Sequence, residues 1–275
     1  MNRHRKAPDT TEELLLTLGH LVDQAMENIK LQQARAELGM ALQRHMLPSE
    51  LPDFPGVRLA ARYSPSQDGL AVGGDFYDAF PMLDGVAGMA IGDVQGHGVE
   101  AAAFMGEARA SLRALASVTL DPGHVLTCAN DLLISLGTDL FTTCCLLSFT
   151  PSTGDLGIAR AGHVPMVWGT DAGDSGVSLD TGGMPLGVLP SQKYPVVHRP
   201  LTEPGYLVLV TDGVVEGPAY PIEEGLAEVA GLAAAGRGVD PDVLASRVIR
   251  VADRTGHDDD AAVLVVRHDS RPGAR

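Results

Sequence analysis

The sequence predicts an α+β domain of two antiparallel sheets flanked by helices, behind one long N-terminal helix. Three observations predict it. Short apolar runs with partial period-two alternation recur from residue 57 to the C-terminus. They are interrupted by two pairs of helical stretches and do not alternate strictly with single helices, so a doubly wound parallel sheet is disfavoured. Before them, residues 10–46 keep an unbroken helical pattern.

Residues 1–9 read as a disordered lead, without the apolar core of a signal peptide. Thr10 and Glu13 have capping-box spacing. Leu15, Leu18, Val22, Ala25 and Ile29 form a heptad-like stripe. Leu31, Ala34, Leu38 and Leu42 then shift its phase, and Pro48 ends the helix. Residues 10–48 are therefore expected to be a linker or dimerisation helix. Strands are expected at Val57–Ser64, Ala71–Phe80 and Gly85–Ile91, then helices at 99–117 and 122–136, the second capped by Asp121 with Pro122 in its first turn. Strands return at Phe141–Phe149, Leu156–Ala161 and Pro165–Trp168. Residues 169–192, rich in Gly, Asp, Ser and Pro, read as loop. Gly205–Thr211 is an apolar strand, 222–235 and 241–254 are helical, and Ala261–Arg267 is the last strand before a tail at 269–275.

Composition excludes several classes. The chain of 275 residues carries a formal charge of −15 and shows no basic stripe, which argues against nucleic acid as a partner. The three cysteines, Cys128, Cys144 and Cys145, form no CxxC pair and read as reduced thiols. No apolar run is long enough to span a membrane, and the chain is expected to be cytoplasmic. Only three lysines occur, Lys6, Lys30 and Lys193, none in a glycine-rich phosphate loop.

What the chain has instead is aspartate beside glycine at strand ends. Asp75 and Asp78 follow Gly73-Gly74, Asp93 lies in Gly92-Asp93-Val94-Gln95-Gly96-His97-Gly98, Asp212 lies in Thr211-Asp212-Gly213, and Asp258-Asp259-Asp260 precede the final strand. A carboxylate at the inner end of a buried strand loses hydration unless a positive charge compensates it. Lysine and arginine are missing from these windows. Oxygen-only donors suit Mg²⁺ or Mn²⁺, and a pair of such ions can activate a water against a phosphoryl group. Each Asp-Gly alone is a turn signal; four in one chain suggest a site.

These strings resemble those of the PPM (PP2C-like) phosphatases, in the bacterial SpoIIE/RsbU-type branch. The matching segments are Leu42-Gln43-Arg44-His45-Met46-Leu47-Pro48, Val72-Gly73-Gly74-Asp75-Phe76-Tyr77-Asp78, Gly92-Asp93-Val94-Gln95-Gly96-His97-Gly98, Ala161-Gly162-His163, Leu186-Gly187, Thr211-Asp212-Gly213 and Asp259-Asp260. The resemblance implies a four-layer α-β-β-α sandwich over residues 49–268 and a metal-dependent serine/threonine phosphatase holding two Mn²⁺ or Mg²⁺ ions. It implies Asp93 as the bridging ligand, the Val94 carbonyl beside it, Asp75 on one ion, and Asp212 with Asp259 on the other. Asp258 and Asp260 stay open as alternatives to Asp259, and Asp78 and Asp258 as guesses for a third ion. His97 and His163 are candidate proton donors or substrate contacts, and Arg62 a candidate phosphate contact. The implied substrate is a phosphorylated STAS-domain anti-sigma factor antagonist in a partner switch. A non-catalytic phosphoprotein-binding regulator and a small-phosphoester hydrolase are the rival readings.

Overall fold

The computed structural model describes residues 11–65, 73–179, 181–256 and 259–269. The expected lead at 1–9, the cap at Thr10, Ala71, Asp258 and the tail beyond 269 lie outside the described residues.

Two five-stranded antiparallel sheets face one another. The first takes β1 (Val57–Ser64), β10 (Ala261–His268), β9 (Gly205–Val210), β6 (Val167–Thr170) and β7 (Ser175–Val177), in that spatial order. The second takes β2 (Asp75–Pro81), β3 (Ala87–Val94), β4 (Thr142–Thr150), β5 (Asp155–Ala161) and β8 (Val196–Pro200). Alternate residues of each strand point inward, so Met89, Ile91, Leu147, Leu207, Leu209 and Leu264 fill the space between the sheets. The other face of the second sheet buries Phe76, Phe80 and Ala90 against α2 (Val99–Ala116) and α3 (Pro122–Ser135). The other face of the first sheet packs against α5 (Ile222–Ala234) and α6 (Pro241–Val248). This is the expected α-β-β-α arrangement. It explains why β10 is buried along all eight residues: a central strand covered on both faces reads as a continuous apolar run, and polar side chains are pushed to its ends.

Asp121 accepts hydrogen bonds from the Gly123 and His124 N–H groups at 2.8 and 3.2 Å, capping α3 with Pro122 in its first turn as anticipated. The short helix α4 (Asp212–Val215) and strands β7 and β8 were not anticipated; β7 falls in the stretch read as loop. Their apolar content is too small for a periodic signal. The expected helix at 241–254 is α6, a 3₁₀ turn at Ile249–Val251 and α7 (Ala252–Thr255).

The N-terminal helix α1 runs from Thr11 to Met46. Its stripe does not pack on its own domain: Leu15, Leu18, Val22, Ala25 and Ile29 are all exposed, Leu15 by 63%. Among its described residues, the C-terminal end is the part that is seated, with Met46 and Leu47 packed on the α2 side. Gly106 of α2 leaves a notch there, since a Cβ on it would stand 2.5 Å from the Met46 sulfur.

Candidate metal centre

The aspartates converge at one end of the sandwich, in the gap between the two sheets. Asp75 opens β2 and Asp93 sits in the last two residues of β3. They are direct cross-strand partners, so both carboxylates project from one face toward the opposite sheet. Asp93 thus belongs to the strand rather than to the loop after it. From the first sheet, Thr211 follows β9 and Asp212 opens α4, while Asp259 and Asp260 lead into β10. Strand pairing of β9 with β10 brings these two ends together, with the Thr211 N–H donating to the Ala262 carbonyl at 3.1 Å.

The electrostatics follow from crowding. Asp75 is buried, and its carboxyl is held well above the usual range, first by burial and then by the charge of Asp93, with Asp212 and Asp260 adding to it. Asp93 is pushed up to about 7, by burial first, then Asp212 and Asp259; a hydrogen bond with Asp75 partly offsets this. Asp212 is raised by burial and Asp259 and lowered by a hydrogen bond from the Gly213 N–H. Among the described residues, no cation figures in the foremost influences on these three. Asp259 therefore acts on Asp93 and Asp212, and Asp260 on Asp75 and Asp93. Asp259 is exposed, whereas Asp260 is only 2% exposed.

The glycine pair before Asp75 has a steric reason. A Cβ on Gly73 would fall 0.8 Å from Asp260 Oδ2, and one on Gly74 would fall 2.2 Å from the Val94 carbonyl oxygen. Any side chain there would fill the place of a carboxylate or cover a backbone carbonyl. The pocket thus carries an all-oxygen donor set of the kind hard divalent cations take. As they stand, no three His, Cys, Asp or Glu side chains among the described residues already form a closed cation cage. The fit to a cation rests on the donor chemistry and the clearance left by Gly73 and Gly74.

Three residues outside the predicted set orient this cluster. The Thr211 hydroxyl donates to Asp75 Oδ2 at 2.7 Å. The Thr142 hydroxyl donates to the Asp93 carbonyl at 2.8 Å. Thr143, the cross-strand partner of Asp93, bonds His163 Nδ1 at 2.7 Å. Thr211 adjoins Asp212 in sequence, but nothing in its own residue type marked it.

The remaining candidates separate. His163 is buried, and its Nε2 lies 3.1 Å from the Val210 carbonyl. That acceptor fixes the proton on Nε2, so Nδ1 accepts the Thr143 hydroxyl. Burial pushes His163 down to about 3. It is a neutral brace between the sheets, with both nitrogens engaged. His97 is exposed in the loop between β3 and α2. Arg62 is not brought to the cluster: its guanidinium bonds Ser246 at 3.1 Å and Asp242 at 2.5 Å, both on α6. Asp78 turns to the helix layer, where it accepts from Arg113 at 2.7 Å and faces Arg109 at 3.5 Å. It is a fully buried ion-pair partner, with cations that come from α2 and so escaped the local sequence window.

Residues 84–269 match the family model described as Stage II sporulation protein E (SpoIIE). Protein IcfG of Synechocystis sp. is 28% identical over 211 residues, covering 66% of this chain and 32% of that protein. Phosphoserine phosphatase RsbU of Bacillus subtilis is 23% identical over 188 residues, covering 67% of this chain and 55% of that protein. The chain thus spans about a third of the first relative and about half of the second. Among solved structures, the RsbU and RsbW domains of Rv1364c from Mycobacterium tuberculosis superpose with a TM-score of 0.72 at 31% identity, covering 82% of this chain and 64% of that one. The PP2C phosphatase domain of SpoIIE from Bacillus subtilis superposes at 0.63 with 22% identity, covering 77% and 63%, a likeness of fold.

Proposed function

The chain belongs to the SpoIIE family, whose bacterial SpoIIE/RsbU-type members are PP2C-like phosphatases, and on that premise we propose that it is a metal-dependent serine/threonine protein phosphatase. The observation that carries this reading is the inter-sheet cluster of Asp75, Asp93, Asp212, Asp259 and Asp260, in which burial and like charge raise Asp75, Asp93 and Asp212. Such a cluster is costly in water-poor surroundings and becomes favourable with a cation at its centre.

In this reading Asp75, Asp93, the Val94 carbonyl, Asp212 and Asp259 would hold the ions, Asp93 standing between the donors of the two sheets. Bound Mn²⁺ or Mg²⁺ supplies Lewis-acid polarisation of the phosphoryl group and a water acidified for attack. The protein's own part is to hold donors in place. Thr211 fixes one oxygen of Asp75, Thr142 the backbone of Asp93, and His163 the spacing between the two sheets. His163 is buried with both ring nitrogens engaged, whereas His97 is exposed in the loop after β3 and is the candidate to meet a leaving serine or threonine oxygen. Gly73 and Gly74 leave room for the Asp260 carboxylate and the Val94 carbonyl.

The test is phosphate release from a phosphoserine peptide with Mn²⁺, with EDTA, and with Asp93→Asn plus Mn²⁺. Release that requires metal and disappears in the variant is expected. Mn²⁺ binding by calorimetry with no release from any phosphopeptide would favour a binding-only regulator, and release confined to nucleotides would favour a small-phosphoester hydrolase.

The favoured substrate is a phosphorylated STAS-domain anti-sigma factor antagonist in the cytoplasm. The likeness to a phosphoserine phosphatase named RsbU supports it, as does a stressosome component of TM-score 0.58 at the level of fold. No helix among the described residues is long and apolar enough to cross a membrane. Lack of turnover on every phospho-STAS protein of the same cell would end this assignment. Residues 10–48 serve as a dimerisation helix, supported by the exposed stripe of Leu15, Leu18, Val22, Ala25 and Ile29. Light scattering at micromolar concentration should return twice the monomer mass, and a monomer would reject the helix's role.

A further inference from the structure

At the end of the sandwich opposite the aspartates, a cavity of about 380 Å³ opens between the sheets. His268 ends β10 there, seven residues from Ala261, which is roughly 23 Å at about 3.3 Å per residue. The cavity is lined by Trp168, Arg199 and His268 together with Leu201 and the nearly buried Met166 and Leu207. The size falls in the ordinary range for small-molecule sites, roughly 300–1,000 Å³.

Its polar groups are arranged for a ligand rather than for one another. The Arg199 guanidinium stacks on Trp168, 4.2 Å from the ring centroid, and no carboxylate among the described residues pairs with it. The neighbouring cation, Arg267, is already engaged by both oxygens of Asp171 at 2.6 and 2.8 Å. His268 is 3% exposed, and its Nδ1 has no hydrogen-bond partner among the described residues. Burial, then Arg267, pushes His268 down to about 4, so the ring is neutral and can donate or accept. Asp174 and Glu203 also line the cavity. Among the described residues these two acids beside the Arg199 guanidinium penalise a ligand of two or more negative charges more than a monoanion.

We propose that this cavity binds a small organic monocarboxylate, its carboxylate on Arg199 and its apolar body against Trp168, Met166, Leu201 and Leu207. A planar guanidinium held by stacking offers a bidentate contact to a carboxylate at little further entropic cost. The proposal is independent of phosphatase activity.

Trp168 is the chain's single tryptophan, so its fluorescence reports on this cavity alone. Wild type, Arg199→Gln and Asp93→Asn would be titrated with hexanoate, benzoate and 3-phenylpropionate, and with hexanol, benzyl alcohol and AMP for comparison, with calorimetry as a second readout. At least one carboxylate is expected to saturate with a Kd of about 1 mM or tighter. Arg199→Gln should weaken it by about tenfold or more, and Asp93→Asn should leave it unchanged. Failure of all three carboxylates to saturate by about 20 mM, equal binding of the matching alcohol, tighter binding of AMP, or an unaltered Kd in Arg199→Gln would each overturn the assignment.

Discussion

The Thr211 hydroxyl donates to Asp75 Oδ2 at 2.7 Å and accepts the Ala262 N–H at 2.8 Å. One side chain thereby ties the start of β2 in one sheet to β10 in the other and leaves the second Asp75 oxygen to face the cluster. Groups that orient a metal ligand commonly contribute about 10- to 100-fold in affinity. Thr211→Val should therefore weaken Mn²⁺ binding by about that factor in calorimetry. Thr211→Ser keeps the hydroxyl and should bind within about threefold of wild type. Equal loss in both variants would show that packing of the threonine methyl, not its hydrogen bond, matters.

Asp93 stands at about 7 in the folded chain against 3.8 for an ordinary aspartate. A carboxyl raised on folding holds its proton longer in the native state. Its contribution to stability is full below about 3.8 and is lost as pH rises toward 7. Above that, the ionised group costs the metal-free fold a few kcal/mol, to order of magnitude. In EDTA at pH 8, Asp93→Asn should thus melt higher than wild type, and the gap should close as pH falls to about 4. Adding Mn²⁺ should raise the wild-type Tm and leave the variant's nearly unmoved. A variant less stable than wild type at pH 8 would mean that Asp93 is stabilised by something other than a cation.

The scaffold was readable because its signals are local. Strands such as Gly205–Val210 and Ala261–His268 announce themselves by apolar, valine-rich runs, and Asp121-Pro122 marks a helix start by its own chemistry. Asp75, Asp93 and Asp212 were readable because an aspartate flanked by glycine at a strand end is costly without a partner. What escaped depends on residues distant in sequence. Thr211 acts through Asp75, 136 positions away, and Thr143 through His163. Asp78 looked like a spare metal ligand until α2 delivered Arg109 and Arg113 to it. Arg62 looked free for phosphate until α6 supplied Asp242 and Ser246. Three consecutive acids cannot be ranked by pattern alone. Only packing against Gly73 makes Asp260 the buried one and leaves Asp259 beside Asp212.

Asp78 and the two arginines of α2 form an ion-pair cluster whose acid is fully buried. Asp78 also accepts the Ala79 N–H at 2.8 Å, so its removal strands several donors. Truncating one partner of a buried pair typically costs about 3–5 kcal/mol. Asp78→Ala is expected to lose stability of that order in urea unfolding, with Mn²⁺ affinity unchanged in the folded protein. A stable variant with weakened metal binding would instead place Asp78 among the ligands.

His163 spans the sheets one step away from the aspartates on each side. Its Nδ1 takes the hydroxyl of Thr143, the cross-strand partner of Asp93, and its Nε2–H reaches the Val210 carbonyl, two residues before Asp212. Its folded value of about 3 lies below the ordinary 6.5, so the native state refuses a proton that the unfolded chain accepts. The stability this contributes is present above about 6.5 and is lost as pH falls from there toward 3, at up to about 1.4 kcal/mol per pH unit. His163→Gln has no such titration. It should be less stable than wild type at pH 7 by about 1–3 kcal/mol, for the buried groups left unpaired, and the deficit should shrink between pH 6.5 and 4. If His163 acted instead as a proton donor, its replacement would remove the acidic or basic limb of the kcat profile without changing the pH dependence of unfolding. A brace predicts the reverse, with a uniformly lowered kcat, an unshifted pH–rate profile and a flatter stability curve.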